Sequence, residues 1–372
     1  MNVELQKAGD EPILYSPDRR QRNGALQGLR AIAALTILLY HASVRLAYET
    51  GDERFSAIFG HQFGITSVAI FFAISGALMA DILKYTDAHH FLMHRIIRIY
   101  PIFILVSLIL PNLIAGTFGV DIRALVLVPT GGNANYRLHM VEWTLVFEMF
   151  FYVVLYLISV LGLQRHLERI AAVWLLWTLA IAFLGWAEPR MVKPIPFITS
   201  MLFQTTNAAF AAGLLIPALV RRGFFSPAMA PVAAGLVLMM SVYGLVYDRL
   251  IASFASMIFV GLVFQMRVVR SRDSILSQTA AKFGDWSYAL YLCNASIVIW
   301  LMASVELPPA YLWTLAVLAS IAISVPLGML DLAIYRSLRK KLDGAKDRQV
   351  KLWAAAFTIA YGIAAFGFQL KG

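Results

Sequence analysis

Leu26-Gln27-Gly28-Leu29-Arg30-Ala31-Ile32-Ala33-Ala34-Leu35-Thr36-Ile37-Leu38-Leu39-Tyr40-His41 is the stretch on which the fold turns. It opens an apolar run over 26–45, about the 20 residues that a helix needs to cross the hydrocarbon core of a bilayer. The pattern recurs. Apolar runs near 63–83, 99–115, 143–163, 170–186, 197–219, 228–246, 250–266, 285–304, 310–333 and 352–370 bring the expected number of spans to eleven. Composition agrees: of 372 residues 60% are hydrophobic and 14% charged, with a mean hydropathy of +0.72, against roughly a quarter charged in soluble domains. A soluble cytosolic protein is excluded. The expected fold class is an all-α, polytopic transmembrane helix bundle of about 10–11 spans with its N-terminus inside.

The chain carries 31 Lys and Arg against 21 Asp and Glu, a net charge of +10. In a soluble chain that excess would suggest nucleic acid; in a membrane chain it reports topology, and no nucleic-acid partner is expected. With a cytoplasmic N-terminus, 22 of the 31 basic residues fall inside and eight outside: Arg45, Arg54, Arg123, Arg137, Arg190, Lys193, Arg249 and Lys371. Arg30 is left within the first span. The organisation that follows is a cytoplasmic polar tail over 1–25, a transmembrane domain over 26–335, a basic cytoplasmic loop over 336–351 and an additional C-terminal span over 352–372. The tail, with Asp18-Arg19-Arg20-Gln21-Arg22, resembles a long n-region, but cleavage is not expected. It would discard Arg30 and His41, and the residues after the span offer no small-residue site. The one cysteine, Cys293, permits no intrachain disulfide.

Ionisable groups inside spans are costly, so their default reading is functional. Arg30 and His41 are eleven residues apart, about 20° past three full turns, which places them on one helix face about 16 Å apart along the axis. Arg30 by position alone is either a side chain snorkelling to the inner boundary or a functional cation. His41 by itself is either an interfacial structural histidine or a reactive one, and the shared face favours the latter. Glu148 lies about 7 Å along the fourth span from Trp143, a depth that it could share with His41. A carboxylate there either orients the imidazole of a general base or pairs with an arginine to hold helices together. Arg95 and Arg98, at i and i+3 at the inner face just before Pro101, present two guanidinium forks to one anion or simply anchor the topology. His89 and His90 lie nearby, but without cysteine or a carboxylate constellation no metal site is expected.

These pieces, in this order, resemble the acyltransferase 3 family of bacterial integral-membrane O-acyltransferases over roughly residues 26–335. The markers are Leu29-Arg30 through His41 with the R-x10-H spacing; Phe71-Phe72-Ala73-Ile74-Ser75-Gly76; Arg95-Ile96-Ile97-Arg98-Ile99-Tyr100-Pro101; Trp143-Thr144-Leu145-Val146-Phe147-Glu148 with Phe150, Phe151 and Tyr152; and Ser287-Tyr288-Ala289-Leu290-Tyr291-Leu292. The resemblance implies transfer of an acyl group, usually acetyl, from cytosolic acyl-CoA to a hydroxyl of a saccharide or glycolipid such as exopolysaccharide, O-antigen or a lipo-chitooligosaccharide. It implies a multi-pass protein of the inner, cytoplasmic membrane, with acetyl-CoA as donor substrate and no bound cofactor or metal. Arg30, Arg95 and Arg98 would bind the donor. His41 would be the catalytic base or transient acyl carrier, with Glu148 orienting it. Ser75 and Tyr288 would donate to a developing oxyanion or serve helix packing.

Two features depart from the family pattern. Asn294 stands where the SYxxYLxH motif ends in histidine, and asparagine cannot take up a proton near neutral pH. The eleventh span exceeds the ten expected of the family core. Two other function classes compete: a transporter or flippase whose solute path is lined by Arg30, His41 and Glu148, and a non-catalytic partner in polysaccharide assembly, for which Asn294 would mark lost chemistry. No inverted half-repeat supports the first, and retention of Arg30, His41, Arg95, Arg98 and Glu148 argues against the second.

Overall fold

In the computed structural model, residues 24–115, 119–132, 141–187, 195–240, 245–266 and 275–371 are described. Most of the tail over 1–25, parts of the loop around 116–142, and Lys7, Arg19, Arg20, Arg22, Arg137, Arg190, Lys193, Arg267, Arg270 and Arg272 lie outside them. The described chain is helical throughout, with one isolated bridge between Thr130 and Phe197 and no strand among these residues. The helices are α1 (Gly24–Thr50), α2 (Arg54–Ile58), α3 (His61–Ile82), α4 (Ala88–Ala115), α5 (Ile122–Leu125), α6 (Glu142–Val160), α7 (Leu167–Phe183), α8 (Asn207–Arg221), α9 (Met229–Leu238), α10 (Leu245–Gln265), α11 (Ile275–Ser304), α12 (Pro309–Asp343) and α13 (Asp347–Lys371).

Each expected span has its helix, but not every one is long enough to cross a membrane alone. Among the described residues nine are long and apolar enough by length and composition; α8 and α9 are shorter apolar helices. The run over 197–219 divides because Gln204-Thr205-Thr206-Asn207 interrupts it: Ile198–Phe203 winds as a 3₁₀ helix, and Asn207 Nδ2 donates to the Met201 carbonyl (2.7 Å) where α8 begins. The basic stretch 336–351 is not a loop. Helix α12 continues to Asp343 and α13 starts at Asp347, so only Gly344–Lys346 connect them. Arg and Lys are good helix formers, and nothing in 336–343 breaks the run.

α3 and α11 are the most enclosed of the spans and α13 the least. The centre is aromatic. Phe151 of α6 stacks on Phe210 of α8 with ring centroids 4.1 Å apart, Trp174 of α7 meets Phe210 edge-on, and Phe72 of α3 does the same to Phe151. Glycine permits the tightest crossing in this core. A Cβ at Gly76 would stand 2.4 Å from the Phe210 carbonyl oxygen, and one at Gly213 2.5 Å from that of Ala73, so α3 and α8 pack backbone on backbone. Helix α13 packs on α4 through Tyr100 and Phe357 (5.9 Å between rings), and Gln369 donates to Thr199 Oγ1 at 2.7 Å.

Gly213→Val is expected to abolish monodisperse elution of detergent-solubilised protein or to lower its unfolding temperature steeply, because the clash is with backbone. Gly362→Val, at a position with no heavy atom within 4 Å, is expected to leave both unchanged.

Candidate functional site

Two cavities run into the bundle from opposite ends. The larger, about 590 Å³, opens between the N-terminal ends of α1, α4 and α11 and the C-terminal ends of α3 and α12. Arg30, Arg95, Arg98, Arg336 and Arg339 line it together with Asp81, Glu148 and Asp285. The smaller, about 300 Å³, opens where α1 ends and α3, α6, α8 and α10 begin, and is lined by His41, His61, Trp143, Thr206 and Arg249. Val68, Phe72 and Tyr291 belong to both walls and so form the partition between them. The Tyr291 ring is fixed there: its hydroxyl donates to the Val141 carbonyl (2.9 Å) and lies 2.6 Å from Thr144 Oγ1.

The expected pairing of Glu148 with His41 does not occur. The Glu148 carboxylate accepts a short hydrogen bond from the Tyr152 hydroxyl, one turn on, and lines the basic cavity. Thr144 meets Tyr291 of α11 while His41 meets Asn294, nearly a turn away, and Glu148 follows Thr144 by one further turn, so it lies nearer the basic end as well as in the other cavity. His41 pairs instead with Asn294 of α11: Nδ1 and Oδ1 are 2.6 Å apart. Both Asn294 amide hydrogens are already used, on the carbonyls of Leu290 and Tyr291 at 2.8 Å each. The Asn294 oxygen therefore faces the ring and can only accept, so His41 donates from Nδ1. In the neutral ring the lone pair is then on Nε2, which is the arrangement a general base requires.

The remaining expected residues sort by cavity. Arg30, Arg95 and Arg98 do converge on one space, but they are not equivalent. Arg98 is bound to Asp331 at 2.5 Å and lies over the rings of Tyr288 and Tyr335, each 5.4 Å from its guanidinium carbon. Arg95 lies over Tyr152 at 5.9 Å, and among the described residues no carboxylate is within ion-pair distance of it. Asp87 positions both by capping α4, accepting from the backbone N–H groups of His89 (2.9 Å) and His90 (3.2 Å). Partial burial pushes the Asp87 carboxyl up, and these bonds outweigh it and hold the group below the ordinary aspartate value. His89 reaches Tyr156 (3.1 Å) and His90 faces Asp87 (3.4 Å).

Ser75 and Tyr288 line the basic cavity, not that of His41, and their hydrogens are engaged. Tyr288 donates to the Ile99 carbonyl at 3.0 Å, tying α11 to α4. Tyr152 gives its hydrogen to Glu148, so Ser75, 3.2 Å from that hydroxyl, donates to Tyr152. Both hydroxyl hydrogens are thus spent on contacts within the bundle.

Arg336 and Arg339 were missed as cavity residues because the stretch 336–351 read as a loop; their i, i+3 spacing after Asp331 and Tyr335 on one helix is the signal that places them together. Arg249 was assigned to an outer loop, but α10 begins at Leu245 and carries it into the second cavity.

A family model described as an acyltransferase domain matches residues 23–329, which include α1 through most of α12 and leave out α13. No curated protein and no solved structure matches the chain.

Replacing Asn294 by Leu removes the one acceptor at His41 Nδ1 among the described residues. With 15N-labelled histidine, the wild type is expected to show the neutral His41 ring protonated at Nδ1, and Asn294→Leu to shift it to the Nε2-protonated form. Unchanged nitrogen shifts in the variant would refute this role.

Proposed function

Because the chain belongs to the acyltransferase 3 family and is a membrane acyltransferase, we propose that it moves an acetyl group from cytosolic acetyl-CoA, bound in the basic cavity, to a saccharide hydroxyl presented in the cavity of His41. The observation that carries this reading is the partition. A cavity rich in arginine and a cavity holding a tautomer-fixed histidine abut at only Val68, Phe72 and Tyr291. A donor with an anionic head and a long thin arm ending in a thioester suits such a pair of spaces.

Arg95, Arg336, Arg339 and Arg30 hold the phosphates of the donor; guanidinium forks match phosphate oxygens in charge and shape. Arg98, neutralised by Asp331, contributes a fixed wall rather than a free charge. The inside-positive bias places this end in the cytoplasm. The thioester arm passes the partition toward His41. The acceptor hydroxyl then gives its proton to Nε2 as its oxygen attacks the thioester carbonyl. The tetrahedral adduct collapses, the carbon–sulfur bond breaks, and the departing thiolate takes the proton from the imidazolium. Asn294 keeps Nδ1 protonated throughout, as a positioning residue.

On this reading Asn294 is not a mark of lost chemistry. The acceptor is a saccharide or glycolipid of the envelope, of the kind represented by exopolysaccharide, O-antigen or lipo-chitooligosaccharide. The protein acts as a multi-pass enzyme of the inner membrane.

Purified protein with acetyl-CoA and envelope glycan is expected to yield O-acetylated product by mass spectrometry, and His41→Ala to lower the rate by about 10²–10⁴-fold at unchanged protein level. Full transfer by that variant would sink the assignment. Arg95→Ala and Arg336→Ala are each expected to raise the KM for acetyl-CoA with little change in kcat, whereas an unchanged KM for acetyl-CoA in both would remove them from the donor site.

A further inference from the structure

The cavity of His41 contains a guanidinium for which the acyl-transfer scheme has no use. Arg249 projects into it from the first turns of α10, held by a hydrogen bond to Thr206 Oγ1 at 3.0 Å and lying over the Trp143 ring at 5.8 Å. A cation inside a membrane-embedded cavity is expensive unless an anion answers it. At the other end of the bundle the answers are present: Asp331 binds Arg98, and Glu148 and Asp285 share the basic cavity. Around Arg249, no carboxylate among the described residues lies within ion-pair distance. Its neighbour Asp248 is turned to His61, with 3.7 Å between Oδ2 and Nε2. The charge is therefore directed at the open space of the cavity, on the same wall system as His41 and beside an indole face.

We propose that Arg249 is the anion-reading residue of the acceptor subsite, and that the acceptor is an acidic saccharide whose carboxylate or phosphate it binds. This inference rests on the acyl-transfer reading for the word acceptor, but the binding that it asserts does not require transfer. Guanidinium recognises both oxyanions through parallel N–H donors, so a uronate carboxylate and a sugar phosphate are the two sources of the same chemistry. Trp143 supplies an apolar face with its own polar edge against which a sugar ring can lie. A neutral saccharide would leave the buried charge unanswered and bind more weakly for that reason.

The test is calorimetric titration of the full chain in nanodiscs with three probes: an oligohexuronate, its carboxyl-reduced neutral counterpart, and glucose 1-phosphate. Excess CoA is present to occupy the basic cavity. The wild type is expected to bind at least one acidic probe about tenfold or more tightly than the neutral one, and which acid wins identifies the oxyanion source. Arg249→Gln is expected to erase that preference while leaving neutral-probe binding unchanged, and Arg249→Lys to retain part of it. Equal binding of acidic and neutral probes by the wild type would overturn the proposal, as would an undiminished acid preference in Arg249→Gln. Should Arg249→Gln fail to fold, the wild-type comparison under excess CoA still decides. Acid preference that Arg249→Gln erases, in protein that neither binds CoA nor transfers acetyl, would strike the acyl-transfer reading alone and leave the anion subsite standing.

Discussion

α1 and α11 approach so closely that a Cβ at Gly284 would sit 2.3 Å from the carbonyl oxygen of Gln27, and the rest of the site follows from that contact. With the two backbones in register at one end, the helices carry His41 and Asn294 to the same place deeper in the bundle, where they bond at 2.6 Å. The same helix places Tyr291 in the partition and Tyr288 against α4. A bulkier residue at the crossing would part the helices and release three functions at once: the histidine tautomer, the barrier between the cavities and the tie to the basic helix.

The charged residues obey a second constraint, that hydrocarbon tolerates them only when they face protein or water. Each end of the bundle solves it differently. At the basic end, carboxylates and aromatic rings surround the arginines: Asp331, Tyr288 and Tyr335 enclose Arg98, and Tyr152 lies beneath Arg95. On the proposed reading such a wall holds an anionic donor. In the cavity at the other end Arg249 is the one arginine among the described lining residues, held by a threonine and lying over an indole.

Helix α13 shows where family architecture stops. It lies beyond the matched residues 23–329, lines neither cavity, and packs on the core with Ala354, Tyr361 and Ala365 buried, Phe357 against Tyr100 of α4 and Gln369 paired with Thr199.

The helical, membrane-spanning character of the chain was legible in the sequence, because bilayer thickness acts on each run of residues separately and needs no neighbour to be read. So was the pairing of Arg95 and Arg98 on one helical surface, since spacing and end of span are local properties, whereas Arg30 was joined to them only by the family resemblance. Pairings between helices were not. Glu148 and His41, expected at a common depth, line different cavities, and Asn294, which in sequence marks only a departure from a motif, is the residue that orients the histidine. Arg249 read as a loop cation until α10 proved to begin at Leu245. The physical reason is the same in each case: hydropathy and helical period determine where along the membrane normal a side chain lies, whereas its partner depends on how far each helix is rotated about its own axis. That rotation is decided by close contacts such as Gly284 on Gln27 and Gly76 on Phe210, which exist only once the helices are assembled.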